Sequence, residues 1–134
     1  MTIRLDHTIV PAKDKKVSAE FFAEMFGLRV RPGHFAQVRV NGSLTLDFAD
    51  EPEAWGGPGF DPGMGRSHHY AFHVGDAEFD EILGRVKAKG IAYGAEPHRH
   101  TDSRINTRRG GRAFYFEDPY GHLLEVMTVP ETEI

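Results

Sequence analysis

Two stretches of the chain, RLDHTIV at residues 4–10 and SHHYAFHV at residues 67–74, decide the fold. Each is predicted to form a buried β-strand, and each carries a histidine, His7 or His69. The two histidines are 62 positions apart in a chain of 134 residues. Because a half-length interval is typical of an internal duplication, the residues that follow each strand need to be compared.

A helix is predicted after each of these strands. KKVSAEFFAEMF follows His7, and its apolar residues recur at helical spacing until Gly27. AEFDEILGRVKAK follows His69, and its apolar residues recur in the same way until Gly90. The interval from Gly27 to Gly90 is 63, so the two copies stay in register to within one residue.

Three further strands are predicted after each helix. LRVRP, FAQVRV and SLTLDFA follow the first helix, and GIAY, RAFYFE and HLLEVMTV follow the second. The turn DPYG at residues 118–121 joins the last two strands as a hairpin. The second half also carries sixteen extra residues between Gly94 and Gly111, which we expect to form a loop. The pattern predicts an α+β fold of two repeated β-α-β-β-β modules forming a cupped mixed sheet around an interior site.

The modules are expected to form a single domain of residues 1–134. Module one covers residues 3–50 and module two residues 67–129, and residues 51–66 form a linker rich in glycine and proline. Neither module can bury its sheet alone, so we expect the two to share one interior.

Composition excludes several classes of protein. The net charge of -4 argues against a nucleic-acid partner, and no apolar run approaches the roughly 18 residues of a membrane span. The chain has no cysteine, which excludes disulfides and thiolate metal sites. We therefore expect a cytoplasmic protein whose partner is a small-molecule substrate.

Polar residues on the predicted strands indicate a metal site. Tyr70 and Phe72 belong against the helix, which turns His69 and His73 to the other face, and the repeat does the same for His7. On the last strand, the apolar residues Leu124 and Val126 leave Glu125 on that face too. Two imidazoles and a carboxylate suit a divalent ion with open coordination positions. His73 is expected to line the cavity without binding metal.

Asp47 has two interpretations. Counting from the turn at Gly42 makes Leu46 the equivalent of Glu125 and turns Asp47 to the helix face. Alternation of Leu46 and Phe48 instead sends Asp47 to the face of the histidines, where it would be a fourth ligand.

The stretches LDHTIV, HHYAFHV and FYFEDPYGHLLE together resemble the vicinal oxygen chelate superfamily, over about residues 3–129. That superfamily includes glyoxalase I, fosfomycin-resistance thiol transferases, extradiol dioxygenases and bleomycin-resistance binding proteins. The resemblance implies that His7, His69 and Glu125 bind one divalent ion of iron, manganese, nickel, cobalt or zinc. It also implies that Asp47 matches an additional carboxylate of glyoxalase I, which there is typically a glutamate.

The resemblance implies an enzyme that chelates a small oxygen-rich substrate to its metal, with lyase, isomerase, thiol transferase or dioxygenase chemistry. HHYAF and FYFEDPYGHLLE look most like the fosfomycin-resistance group, in which the tyrosine equivalent to Tyr115 touches the antibiotic. We expect Glu125 to move a proton and Tyr115 to donate a hydrogen bond, the alternative for Tyr115 being an aromatic packed in a strand. The alternative function is a metal-free protein that sequesters a small molecule, as the bleomycin-resistance branch does.

Residues 99–112 hold five of the eleven arginines of the chain. One interpretation is a solvated surface loop. The other is that Arg112, which is nearest the strand of Tyr115, binds an anionic group of the substrate. The resemblance also implies a homodimer, in which Trp55 and Phe60 of the linker would cover the partner.

Overall fold

The structure is a computed structural model that describes residues 3–51 and 67–131, and the chain divides into two compact units between Arg66 and Ser67. The first unit contains β1 (His7–Ala12), α1 (Lys15–Phe26), β2 (Val30–Arg31), β3 (Ala36–Asn41) and β4 (Leu44–Asp50). The second contains β5 (His69–His73), α2 (Asp76–Ala88), β6 (Tyr93–Gly94), β7 (Ala113–Glu117) and β8 (Leu123–Met127). Both units follow the order β-α-β-β-β, which confirms the predicted duplication.

Each unit has one four-stranded mixed sheet, and the two sheets share one topology. The strand orders are β1-β4-β3-β2 and β5-β8-β7-β6. In each sheet the first strand pairs in parallel with the last, and the remaining pairs are antiparallel. The predicted α+β class and the two repeated modules are confirmed. Closure of the sheets around a shared interior and the single-domain organisation stay predictions.

Helix α1 covers one face of the first sheet. It begins at the N-cap Asp14, whose carboxylate accepts a hydrogen bond from the Lys16 amide at 2.9 Å. It ends at Gly27, which has the left-handed conformation (φ 69°) that glycine adopts without steric cost. The Phe22 ring lies 6.0 Å from the Phe48 ring of β4, and both residues are almost fully buried. The apolar face of α1 therefore forms the core of this unit.

Helix α2 covers the second sheet in the same way. Phe79, which is fully buried, meets Phe114 of β7 edge-on at a centroid distance of 5.2 Å. Leu124 and Val126 of β8 are buried as well. Because one face of the sheet packs on the helix, Glu125 of β8 points to the opposite face.

The segment between Gly94 and Gly111 is a loop, as predicted, and it is held by its own hydrogen bonds. The Asp102 carboxylate accepts from the amides of Ala95 and Arg104 at 3.2 and 3.1 Å. One bridge pairs Glu96 with Arg99 inside the loop, and another pairs Asn106 with Ala113, which fixes that part of the loop on β7.

The predicted linker lies almost entirely outside the described residues, as do Trp55 and Phe60. The homodimer therefore stays a prediction. Within residues 3–51 and 67–131, no helix is long and apolar enough to cross a membrane.

We predict that Gly94→Ala destabilises the protein. A Cβ at this position would lie 2.5 Å from the Arg99 carbonyl oxygen and 2.5 Å from the Cα of His100, which are backbone atoms. Relieving this overlap should cost about 1–3 kcal/mol in the free energy of unfolding, measured by urea denaturation.

Gly84→Ala is the matched control, because Gly84 lies inside α2 and a Cβ there meets nothing within 4 Å. It should stabilise the protein by about 0.5–1 kcal/mol. Equal stability of Gly94→Ala and the parent would mean that the loop does not pack on β6 as described.

Candidate metal and substrate site

A histidine and a carboxylate lie side by side on the helix-free face of the second sheet. In the parallel pair β5 and β8, His69 pairs with Leu123 and Ala71 pairs with Glu125. The side chains of His69 and Glu125 therefore meet diagonally across the strands, with Nε2 of the histidine 3.1 Å from Oε1 of the glutamate. The Glu125 side chain is mostly buried, at 16% exposed, whereas His69 is half-exposed.

The hydrogen bonding of His69 leaves one nitrogen available as a ligand. Nδ1 lies 3.1 Å from the Leu123 carbonyl oxygen, which can only accept, so Nδ1 carries the proton. In the neutral ring, Nε2 then has a lone pair, and it faces the carboxylate of Glu125. Two acceptors in contact need a cation between them, either a proton or a metal ion. A metal-binding histidine usually donates its other N–H to an oxygen in this way.

The first module repeats the arrangement with His7 and Asp47. In the parallel pair β1 and β4, His7 pairs with Thr45 and Ile9 pairs with Asp47, which is the register of the second module. Asp47 is therefore the structural equivalent of Glu125. It is 5% exposed, and its Oδ1 accepts hydrogen bonds from Thr45 Oγ1 at 3.1 Å and Gln37 Nε2 at 3.3 Å.

This register corrects the count that made Leu46 the equivalent of Glu125. Leu46 is 2% exposed and lies on the helix side. The register shifts between Arg39 and Asn41 of β3, so the first hairpin carries an irregularity next to its turn. The path from Arg39 to Thr45 nevertheless has the same length as the equivalent path from Glu117 to Leu123. The turn glycine comes one position earlier in the first hairpin, so counting from Gly42 and Gly121 misaligns the last strands by one residue, and alternation gives the correct face.

His7 also has its Nδ1 engaged. Nδ1 lies 2.8 Å from Oδ2 of Asp6, a hydrogen bond that raises the pKa of His7, and the charge of Asp47 raises that pKa further. The position of the proton on Nδ1 leaves Nε2 as the lone-pair donor, as in His69.

Tyr115 of β7 completes the group in the second module. It pairs with Glu125, hydrogen-bonds to its carboxylate, and lies with its ring 6.2 Å from the His69 ring. Burial, together with the negative charge of Glu125, raises the pKa of Tyr115 to about 12. The phenol is therefore protonated at neutral pH and donates its hydrogen. Gln37 occupies the equivalent place beside Asp47.

A cavity of about 360 Å³ opens on this face of the second module. Its sheet wall comprises Ala113, Tyr115, Glu125 and Met127, so apolar and polar groups both face the space. The volume suits a small molecule.

The loop arginines that line the cavity are already bound to carboxylates. Arg108 forms two hydrogen bonds of 3.1 Å with Oε2 of Glu96. Arg112 donates to Asp80 at 2.7 Å and to Asp76 at 3.0 Å, and its guanidinium lies 4.3 Å from the Phe79 ring centroid. These contacts tie Arg112 to α2, and its contact with a substrate stays a prediction.

His73 shares a face of β5 with His69, and its Nε2 lies 3.2 Å from the Thr128 carbonyl oxygen. His122 was not predicted as a site residue. It is 1% exposed and accepts a hydrogen bond from the His68 amide at 2.8 Å, which joins the turn to the start of β5. Its position directly after the DPYG turn, where Asp118 accepts from the His122 amide at 2.9 Å, could have indicated it.

Each module contributes one imidazole and one carboxylate on its helix-free face. Within each described unit, no group of three or more histidine, aspartate or glutamate side chains is arranged to hold a metal ion. The donor chemistry nevertheless fits a divalent ion, because each sheet carries an imidazole whose Nδ1 faces an oxygen and a carboxylate at the same register position of the paired strand.

A family model described as the Glyoxalase/Bleomycin resistance protein/Dioxygenase superfamily matches residues 4–126. No curated protein sequence matches the chain significantly. Among solved structures, Oxidase ChaP-H2 is 42% identical, with 97% of this chain and 96% of that chain covered and a TM-score of 0.82. Oxidase ChaP-H1 is also 42% identical, with coverage of 96% and 98% and a TM-score of 0.81.

The fosfomycin resistance protein FosX from Mesorhizobium loti is 22% identical, with 99% of this chain and 98% of that chain covered and a TM-score of 0.69. At that identity the likeness shows the fold alone. The family match confirms the resemblance drawn from the three sequence stretches.

We predict that the Tyr115 phenol resists ionisation in the metal-free protein. After a stopped-flow jump to pH 11, an ordinary tyrosine is mostly ionised, whereas a group with a pKa of about 12 is mostly protonated. The absorbance change at early times should therefore be nearly the same in Tyr115→Phe and in the parent.

The raised pKa of Tyr115 also affects stability. Because the folded state favours the protonated phenol, the phenol's contribution to the free energy of unfolding is complete below pH 10 and is lost as the pH rises through about 12. If the early absorbance change of Tyr115→Phe is smaller than that of the parent by the amount that one ionising tyrosine contributes, Tyr115 ionises normally.

Proposed function

The chain belongs to the Glyoxalase/Bleomycin resistance protein/Dioxygenase superfamily, and from this premise we propose that it is a divalent-metal-dependent enzyme acting on a small oxygen-rich substrate. Within that class we propose oxidase-type chemistry with molecular oxygen as the oxidant, because the two relatives at 42% identity are named oxidases and align over nearly the whole chain.

The observation that carries the proposal is the repeated register of histidine and carboxylate. His69 with Glu125, and His7 with Asp47, occupy the same positions on paired parallel strands. Each histidine has an oxygen acceptor on Nδ1, which orients Nε2 as a ligand. A protein that only sequestered a ligand through apolar contacts would have no need of two such pairs.

His7, His69, Glu125 and Asp47 would hold the ion. When bound, a divalent ion supplies Lewis acidity that draws electron density from a substrate chelated through two adjacent oxygens. The chain's own residues then bind and orient the substrate and handle its proton.

Glu125 is the proposed proton acceptor, since its carboxylate faces the cavity and is mostly buried. Tyr115 is the proposed hydrogen-bond donor to substrate oxygen, because its phenol stays protonated and lies on the cavity wall. Apolar groups of Ala113 and Met127 would pack on the carbon skeleton of the substrate.

We predict that His7→Ala, His69→Ala and Glu125→Ala each lower affinity for a divalent ion by at least about tenfold, because each removes a direct ligand. Asp47→Ala should do the same if four residues bind the ion. Metal content is measured by elemental analysis after dialysis against limiting zinc.

His73→Ala is the control, because His73 lies on the same strand as His69 and its Nε2 contacts a backbone carbonyl. It should retain the parent's metal content. Full metal content in all four ligand variants would refute the proposed site. A metal-free parent that binds a small molecule tightly would favour the sequestering alternative.

Oxidase activity is tested with an oxygen electrode. Protein loaded with iron, manganese, cobalt, nickel or zinc is mixed with catechols, vicinal diols and α-hydroxy ketones, which all present two adjacent oxygens. We expect oxygen uptake that requires both metal and substrate, and that falls by about 10²-fold or more in Glu125→Gln.

Arg85→Gln is the activity control, since Arg85 lies on α2 and pairs with Glu81 at 3.7 Å. Metal-loaded protein that consumes no oxygen with any of these compounds would contradict the oxidase assignment. The metal site is tested separately by the metal content of the ligand variants.

A further inference from the structure

A second cavity, of about 230 Å³, lies on the first module. Three arginines dominate its wall, which comprises Arg29, Arg31, Arg39, Val30, Gln37 and Thr45. All six residues belong to the first unit, and none of them lines the cavity of the second unit.

Strand pairing brings the three arginines together. In the antiparallel pair β2 and β3, Val30 is opposite Val38 and Arg31 is opposite Gln37. Continuing this register by one residue places Arg29 beside Arg39. Like charges on opposed positions of neighbouring strands repel each other and destabilise a sheet.

Among residues 3–51 and 67–131, no carboxylate forms an ion pair with any of these three arginines. The arginines of the inserted loop differ in this respect, since Arg108 and Arg112 are each bound to carboxylates. An acidic chain with 20 aspartates and glutamates thus gathers three cations in one cavity without an ion pair to any carboxylate of its described part.

The fold itself does not require these cations. In the second module, Gly94 and Glu117 occupy the positions of Arg31 and Arg39, as the strand registers show. The same sheet therefore forms with no side chain at one position and the opposite charge at the other.

The cavity adjoins one of the candidate metal ligands. Gln37 and Thr45 line it, and both donate hydrogen bonds to Oδ1 of Asp47, at 3.3 and 3.1 Å. A molecule bound in this cavity would therefore contact the two residues that hydrogen-bond to Asp47.

We propose that Arg29, Arg31 and Arg39 bind an oxyanion group, a carboxylate or a phosphate, of the substrate. Guanidinium groups bind planar or tetrahedral oxyanions through paired hydrogen bonds, and the anion would remove the repulsion among the three cations. Assigning the oxyanion to the substrate rests on the proposed function, because it takes Asp47 to belong to the metal site.

The test is a titration of metal-free, ¹⁵N-labelled protein with inorganic phosphate and with phenyl phosphate, followed by amide chemical shifts. We expect saturable shifts at residues 29–31 and 37–39 and tighter binding of phenyl phosphate than of inorganic phosphate. Arg39→Gln should weaken both by about tenfold or more, as expected for the loss of a charge-assisted contact.

Arg85→Gln is the matched control, because it removes one positive charge from α2, in the other module. It should bind both probes like the parent. Titration curves without saturation, shifts centred on the inserted loop, or equal weakening by the two variants would overturn the proposal. Equal affinity for the two probes would indicate a free-ion site and overturn the assignment to a substrate.

The outcome is independent of the metal site, since the titrated protein contains no metal. Arg39→Gln loaded with zinc should also keep the parent's metal content. Failure of the phosphate titration together with normal zinc binding would refute the oxyanion site alone. Failure of zinc binding with a positive titration would refute the metal site alone.

Discussion

The parallel pairing of the first and last strands of each module is the constraint on which the candidate site depends. A residue on β1 or β5 lies directly opposite one residue of β4 or β8, and diagonally beside the residue two positions after that one. His69 contacts Glu125 through this geometry, and His7 and Asp47 occupy the same register positions in the first module. A helix covers the opposite face, so the polar groups lie on the face that α1 and α2 leave open.

Much of this arrangement could be predicted from the sequence because it is periodic. Helical spacing located α1 and α2, and alternation assigned His69 and Glu125 to the helix-free face. Counting along the chain from a turn failed for Asp47, since Gly42 and Gly121 occupy different positions in two hairpins of equal length. A periodic pattern is averaged over several residues, whereas a count depends on one reference residue.

Side-chain partners could not be predicted, because they come from distant parts of the chain. Arg112 was singled out for its nearness to Tyr115 in sequence, yet its partners Asp76 and Asp80 lie more than thirty residues away on α2. Arg29, Arg31 and Arg39 are not consecutive in the sequence, so no run of arginines indicated a site there. Only strand pairing brings them into one cavity.

We propose that each module contributes one imidazole to a single divalent ion. X-ray absorption spectroscopy of protein loaded with one equivalent of cobalt or zinc tests it most directly, because imidazole rings give characteristic outer-shell scattering. We expect two imidazole ligands together with oxygen ligands around the metal in the parent. We expect one imidazole ligand in either His7→Ala or His69→Ala loaded at saturating metal. Fewer than two imidazoles in the parent, or an unchanged count in both variants, would contradict it.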